Sequence, residues 1–170
     1  MYRNKRIIHL VTINNNLGIG YNNDLLYNFE ELKEIYSELT IGQVLISGKN
    51  SVLNKLITNE RRIIHLLDST NNDMEYNDYN SFEERLELNL DFAVFNSNLL
   101  NTDEIIIIGG NSLFEQTKDI VDKLILIEVN DCKKADLFYN IPDNFKIKNA
   151  GYWLISSNTG LTYRITEWIN

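Results

Sequence analysis

Four consecutive isoleucines, Ile105 to Ile108, run into Gly109-Gly110 and then into Asn111-Ser112, the start of an amphipathic stretch that reaches Val121. That order sets a helix N-terminus directly after a buried strand, where unpaired backbone N–H groups and the positive end of the helix dipole attract phosphate. The paired glycines let a ligand come close to the main chain. Ile46-Ser47-Gly48-Lys49-Asn50-Ser51 repeats the arrangement. Each turn alone reads equally well as a tight turn that serves packing, whereas two in one sheet suit a ligand with several phosphates. Cys132 is the single cysteine and no Cys/His pair has metal-ligand spacing, so neither a disulfide framework nor a metal is expected, and a reducing cytoplasmic setting fits.

The elements around these turns alternate. Arg6 to Ile13 predicts a strand, and the turn-rich Asn14 to Asp24 follows with Gly18 and Gly20. Leu32, Ile35, Tyr36 and Leu39 recur at helical spacing, and Thr40 to Gly42 ends the run. Val44 to Ile46 predicts a short buried strand, Ser51 to Leu56 a helix, Ile63 to Leu67 a strand and Asp68 to Asn80 a loop. Ser81-x-x-Glu84 has the form of a capping box opening a helix through Leu90, while Phe92 to Phe95 fits helix or strand. After the isoleucine strand and the helix from Ser112 to Val121, Leu124 to Val129 is a further strand. Ala150 to Ser156 and Leu161 to Trp168 then form a hairpin around Ser157-Asn158-Thr159-Gly160. The pattern predicts an α/β sandwich with a mostly parallel sheet and an antiparallel C-terminal edge.

The chain has 170 residues, which at roughly 150 residues per domain predicts a single domain over 1–170. Apolar residues make up 44% and charged residues 24%, a composition that folds. A net charge of -8 repels phosphate backbones and anionic lipid, so neither nucleic acid nor a membrane surface is an expected partner. No apolar stretch approaches the roughly 18 residues of a membrane span, and no small-residue cleavage site follows the basic Arg3, Lys5 and Arg6. His9 and His65 sit in apolar strand patterns and are expected to be core residues with satisfied hydrogen bonds. Glu83, Glu84 and Glu87 read as a solvated helix face, and Cys132 as an inert thiol.

Four motifs then carry a family resemblance. Asn14-Asn15-Asn16-Leu17-Gly18-Ile19-Gly20 through Asp24-Leu25-Leu26-Tyr27 resembles the dihydrofolate reductase signature N-N-G-I-G-x-x-N-x-L-P-W, the loop over that family's active site. Gly48-Lys49-Asn50-Ser51 resembles its G-R-x-T turn, and Arg61-Arg62-Ile63-Ile64 its R-x-N-I strand. Ile107-Ile108-Gly109-Gly110 with Leu113-Phe114-Glu115-Gln116 resembles I-G-G-x-x-[LV]-Y-E-Q. Order and spacing match from about Arg6 to Trp168, with Ala135-Asp136 standing where the family has G-D. The resemblance implies a three-layer sandwich around an eight-stranded, mostly parallel sheet, with a nicotinamide cofactor and a pterin side by side. It implies NADPH, with NADH possible, held by Gly20, Gly48, Lys49, Asn50, Ser51, Gly109, Gly110, Asn111, Ser112, Leu113 and Phe114. It implies a folate substrate against Ile8, Leu10, Leu32, Ile35, Ile108 and Ile127, its glutamate carboxylate clamped by Arg61.

The departures lie at the chemistry. Tyr27 replaces the tryptophan that binds a pocket water, and Ile127 replaces a threonine whose hydroxyl bonds the family's pocket acid. That acid lies in the following helix, where an ungapped reading puts Leu32 and a one-residue shift puts Glu31. The shifted reading is preferred, so Glu31 and Tyr27 are the expected catalytic residues, with the carboxyl pKa raised by an apolar pocket. Lys49 for an arginine, Ser112 and the nearby Asp68 or Ser69 imply a thin grip on a 2′-phosphate. The implied activity is hydride transfer to 7,8-dihydrofolate. The alternatives are a non-catalytic binding or structural protein on the same fold, and a reductase of another pterin or pyrimidine.

Overall fold

The computed structural model describes residues 1–48, 63–67 and 82–170, with backbone alone for 63–67 and 82–85. In chain order the strands are β1 (Arg6–Ile13), β2 (Gly18–Tyr21), β3 (Asp24–Leu25), β4 (Val44–Gly48), β5 (Ile63–Leu67) and β6 (Glu104–Gly109). They continue with β7 (Lys123–Val129), β8 (Leu137–Phe138), β9 (Lys146–Ala150), β10 (Leu154–Ile155) and β11 (Thr162–Ile169). Three helices are described: α1 (Glu30–Thr40), α2 (Phe82–Leu99) and α3 (Asn111–Thr117).

An eight-stranded sheet runs in the order β10-β11-β7-β1-β6-β4-β5, with β9 added on β11, and β2, β3 and β8 make a separate three-stranded ribbon. The β1, β4, β5, β6 and β7 pairings are parallel, whereas β11 is antiparallel to β7, β9 and β10. Strands buried on both faces read as unbroken apolar runs, and the alternation of side chains divides each run between two cores. Ile7, Val11, Ile105, Ile107, Leu124 and Leu126 face one side, where Leu86, Leu90 and Ala93 of α2 and Leu113 and Phe114 of α3 cover them. Ile8, Leu10, Ile106, Ile108, Ile125 and Ile127 face the other, under Leu32 and Tyr36 of α1. Three layers result, as the sequence predicts.

Three local readings change. The helix opened by the capping-box segment does not stop at Leu90 but runs on to Leu99, so Phe92 to Phe95 is helical. Its outer face leaves Phe92 58% and Phe95 62% exposed, and an element apolar on both faces gives no helical periodicity to read. The helix after Gly109-Gly110 ends at Thr117, short of Val121, where the Thr117 hydroxyl turns back to the carbonyl of Leu113 at 2.7 Å. The C-terminal hairpin pairs Leu154 with Tyr163 and Ile155 with Thr162, and β9 joins β11 as an additional strand. The segments Ser51 to Leu56 and Asp68 to Asn80 lie outside the described residues.

Candidate active site

The carboxyl ends of β1, β4, β6 and β7 open on the same edge of the sheet, where a parallel arrangement places ligands. On the α1 side of that edge, Ile8, Leu10, Ile108, Ile127 and Leu32 join one apolar cluster with Leu26, Tyr27, Phe29 and Tyr36, and Ile35 packs against it half-buried. Tyr36 is fully buried and its hydroxyl meets the Thr12 hydroxyl at 3.1 Å, with burial pushing the phenol up to about 12.

The helix phase turns Glu31 away from the apolar cluster. Leu32, with no exposed surface, and Tyr36 are one turn apart and point into the cluster, which turns Glu31 about 100° away around the helix. Its carboxylate is taken up by the C-terminal hairpin turn, accepting from the Ser157 backbone N–H at 2.8 Å, the Ser157 hydroxyl at 3.1 Å and the Ser156 hydroxyl at 3.0 Å. Hydrogen bonds from its own backbone amide and that of Ser157 hold it below the ordinary carboxyl value, the reverse of the rise expected for an apolar pocket.

Tyr27 is in the cluster, but its partner is a residue the sequence did not single out. Its hydroxyl donates to Asp131 Oδ2 at 2.7 Å. Burial first, and then this bond, raise the phenol well above its usual range. Asp131 follows β7, and its main-chain carbonyl accepts from the Asn15 N–H at 3.0 Å. Lys133 closes the loop from the other side: its ammonium donates to the Leu26 carbonyl at 3.1 Å and lies 6.0 Å from the centre of the Tyr27 ring. Asn14 donates to the Lys133 carbonyl at 2.8 Å while its Oδ1 accepts from the Gly18 and Asn16 amides at 2.8 and 3.0 Å. No sequence spacing signals the Tyr27–Asp131 pair, because 104 positions separate its members.

The two glycine turns are adjacent. Ser47 of β4 pairs with Gly109 of β6, and a Cβ added at Gly48 would meet the Gly110 nitrogen at 3.2 Å. Gly109 has φ 137°, open to glycine alone, and the Gly109-Gly110 peptide is cis. An added Cβ at Gly110 would meet nothing within 4 Å among the described residues. Asn111 begins α3, and its buried Oδ1 has no hydrogen-bond partner among the described residues. A glycine backbone beside this acceptor fits a ligand that brings its own N–H or O–H donors together with phosphate.

The remaining residues expected at the cofactor have varied surroundings. Leu113 and Phe114 are buried on the α2 side of the sheet, with the Phe114 ring 5.0 Å from His9 and 5.3 Å from Tyr139, because the short α3 docks through that face. Gly20 belongs to the three-stranded ribbon, opposite Leu25 and Leu137, and its carbonyl accepts from the Asp136 amide at 3.0 Å. Ser112 is exposed at the start of α3. Lys49, Asn50, Ser51, Arg61, Asp68 and Ser69 lie outside the described residues, as does the side chain of His65. His9 is a core histidine with both ring nitrogens bonded, Nδ1 to the Tyr139 hydroxyl and Nε2 to the Thr117 hydroxyl, each at 2.8 Å. Among the described residues no group of His, Cys, Asp and Glu could hold a metal, and no helix is long and apolar enough to cross a membrane.

Comparison with known proteins gives two findings. The family model described as dihydrofolate reductase matches residues 6–168. A solved structure, "Dihydrofolate reductase from Enterococcus faecalis complexed with NADP(H) and RAB-propyl", superposes with a TM-score of 0.72 at 15% identity, covering 99% of this chain and 98% of that one. No curated protein sequence matches this chain.

Proposed function

Because this chain belongs to the dihydrofolate reductase family, we propose that it reduces 7,8-dihydrofolate to tetrahydrofolate with NADPH. The observation that supports this most is the pair of glycine turns at the carboxyl ends of β4 and β6, with Gly48 against Gly110, beside the apolar cluster under α1. Gly48 to Ser51 and Gly109 to Ser112 would hold the dinucleotide, and its reduced nicotinamide supplies hydride. The Asn111 Oδ1 acceptor is suited to an amide or hydroxyl donor of that ligand. Ile8, Leu10, Leu32, Ile35, Ile108 and Ile127 supply apolar surface to a pterin, and Arg61 a guanidinium for the glutamate carboxylate. Lys49, a point charge where the family has a planar fork, makes NADH a usable second donor. The working partners are small molecules, in the cytoplasm, with the whole chain acting as one domain.

The test is direct: purified protein should oxidise NADPH when dihydrofolate is added and release tetrahydrofolate. One observation favours a second reading. Leu32 occupies the cluster where the family carries its acid, and Ile127 stands in for the threonine that bonds it, as in a fold that binds nucleotide without turnover. Dinucleotide binding in a fluorescence titration, with no turnover at any pH, would select that reading.

A further inference from the structure

A reductase of this kind adds a proton as well as a hydride, and the cluster under α1 offers no carboxylate from the helix. Leu32 fills the inward position and Glu31 is held by Ser156 and Ser157. Among the described residues, the group of that cluster bonded to a carboxylate is Tyr27. It is 8% exposed, with its hydroxyl on Asp131 at 2.7 Å. A buried phenol needs some acceptor, and a carbonyl or amide would satisfy it. Here the acceptor is an ionisable group that is itself only half-buried, so one end of the pair is in the apolar cluster and the other reaches water.

Resting on the reductase reading above, we propose that Asp131 and Tyr27 form a proton relay that replaces the missing helix carboxylate. Asp131 takes up a proton from solvent, and its hydrogen bond with Tyr27 reverses: the carboxyl O–H donates to Tyr27 Oη, which frees the phenol O–H that now points at Asp131 to turn to the substrate. As hydride reaches the carbon of the substrate C=N bond, the Tyr27 O–H bond breaks and its proton forms the new N–H bond. The Asp131 carboxyl proton passes to Tyr27 Oη, which leaves a neutral tyrosine and a carboxylate. No proton is lost or gained beyond the one taken from water, and the electron pair is the hydride's. Burial keeps Tyr27 protonated through neutral pH, as a relay requires.

Among the described residues the groups facing Asp131 are few. The Lys133 backbone N–H lies 3.3 Å from the same Oδ2, and the Lys133 ammonium stands over the Tyr27 ring. Cys132 is adjacent in the chain, and the end of β1 contributes the neutral Asn14 and Asn15, with Asn15 Nδ2 2.9 Å from Asn130 Oδ1 and 3.8 Å from Cys132 Sγ. In this role Asp131 is a positioning and proton-supplying residue, and Tyr27 is the group that meets substrate.

The experiment is the pH profile of kcat for the wild type, Asp131→Asn, Tyr27→Phe and the double variant, with NADPH and dihydrofolate. Each single variant should lower kcat by about tenfold to a thousandfold with KM changed far less, and should flatten the pH dependence. The double variant should be no worse than the slower single one, since the pair acts as a unit. Asp131→Glu should recover part of the rate and the titrating limb. Tyr27→Phe keeps the ring in its packing and serves as the informative variant if Asp131→Asn folds poorly. Wild-type pH dependence in both single variants, or losses that multiply in the double, would overturn the relay while leaving the reductase reading intact. A wild type without turnover would overturn the reductase reading itself, and the relay with it.

Discussion

Glu31 Oε1 accepts from the backbone N–H of Ser157 at 2.8 Å, which ties the first turn of α1 to the turn between β10 and β11. A helix N-terminus favours a carboxylate, and this one also fixes the C-terminal hairpin against the α1 layer.

Glu31→Gln is therefore expected to lower the urea midpoint at pH 7. The carboxyl is held below its ordinary 4.5 by its own backbone amide and the Ser157 amide. A depressed folded value means that the stabilisation is fully present above the unfolded pKa and disappears as pH falls through the folded one. The gap between variant and wild type should accordingly close on acidification below about pH 4. A gap of constant size down to pH 3 would contradict the assignment.

His9 works in the opposite sense of charge but in the same direction of pH. Burial lowers it from 6.5 to about 3, so the folded protein holds it neutral while the unfolded chain protonates as pH drops below 6.5. The unfolded state then binds the extra proton, and stability falls between about pH 6.5 and 3, by on the order of 5 kcal/mol for the full span. His9→Gln retains a donor and an acceptor for Tyr139 and Thr117 and removes the titration. Its urea midpoint should be flatter over that range than the wild type's, and equal slopes would refute the account.

Gly48→Ala tests the approach of the two turns. The added methyl would press on the Gly110 nitrogen at 3.2 Å and face the Gly109 carbonyl oxygen at 3.6 Å, both backbone atoms. Overpacking of this kind costs about 1–3 kcal/mol. The variant should unfold at lower urea and bind NADPH more weakly, both readable by fluorescence, whereas unchanged binding would separate Gly48 from the dinucleotide.

The long-range layout was legible because it rests on local repeats. Ile105 to Ile108 and Leu124 to Val129 alternate between two faces wherever they are placed in a sheet, and Gly109-Gly110 must turn whatever packs beside it. The phase of α1 was not legible. In Glu30-Glu31-Leu32 the apolar and acidic neighbours differ by one residue, and a one-residue shift in register exchanges them at the same cost in pattern. The extent of α2 was hidden in the same way, because Phe92 and Phe95 are exposed although the helix buries its other face.

Period, turn chemistry and motif spacing are properties of neighbouring residues, so the sequence alone was enough for the core strands β1, β4, β5, β6, β7 and β11, the helices α1, α2 and α3, the glycine turn at Gly109-Gly110 and the family. Which carboxylate is hydrogen-bonded to the cluster under α1 depends on the tertiary structure. Parallel pairing of β1 with β7 brings their ends together, where Asn15 meets Asp131 and Tyr27 finds its partner, while a hairpin 125 positions away binds the Glu31 carboxylate. A hydrogen bond between residues so far apart in the chain depends on where the sheet puts them, and no local pattern records that.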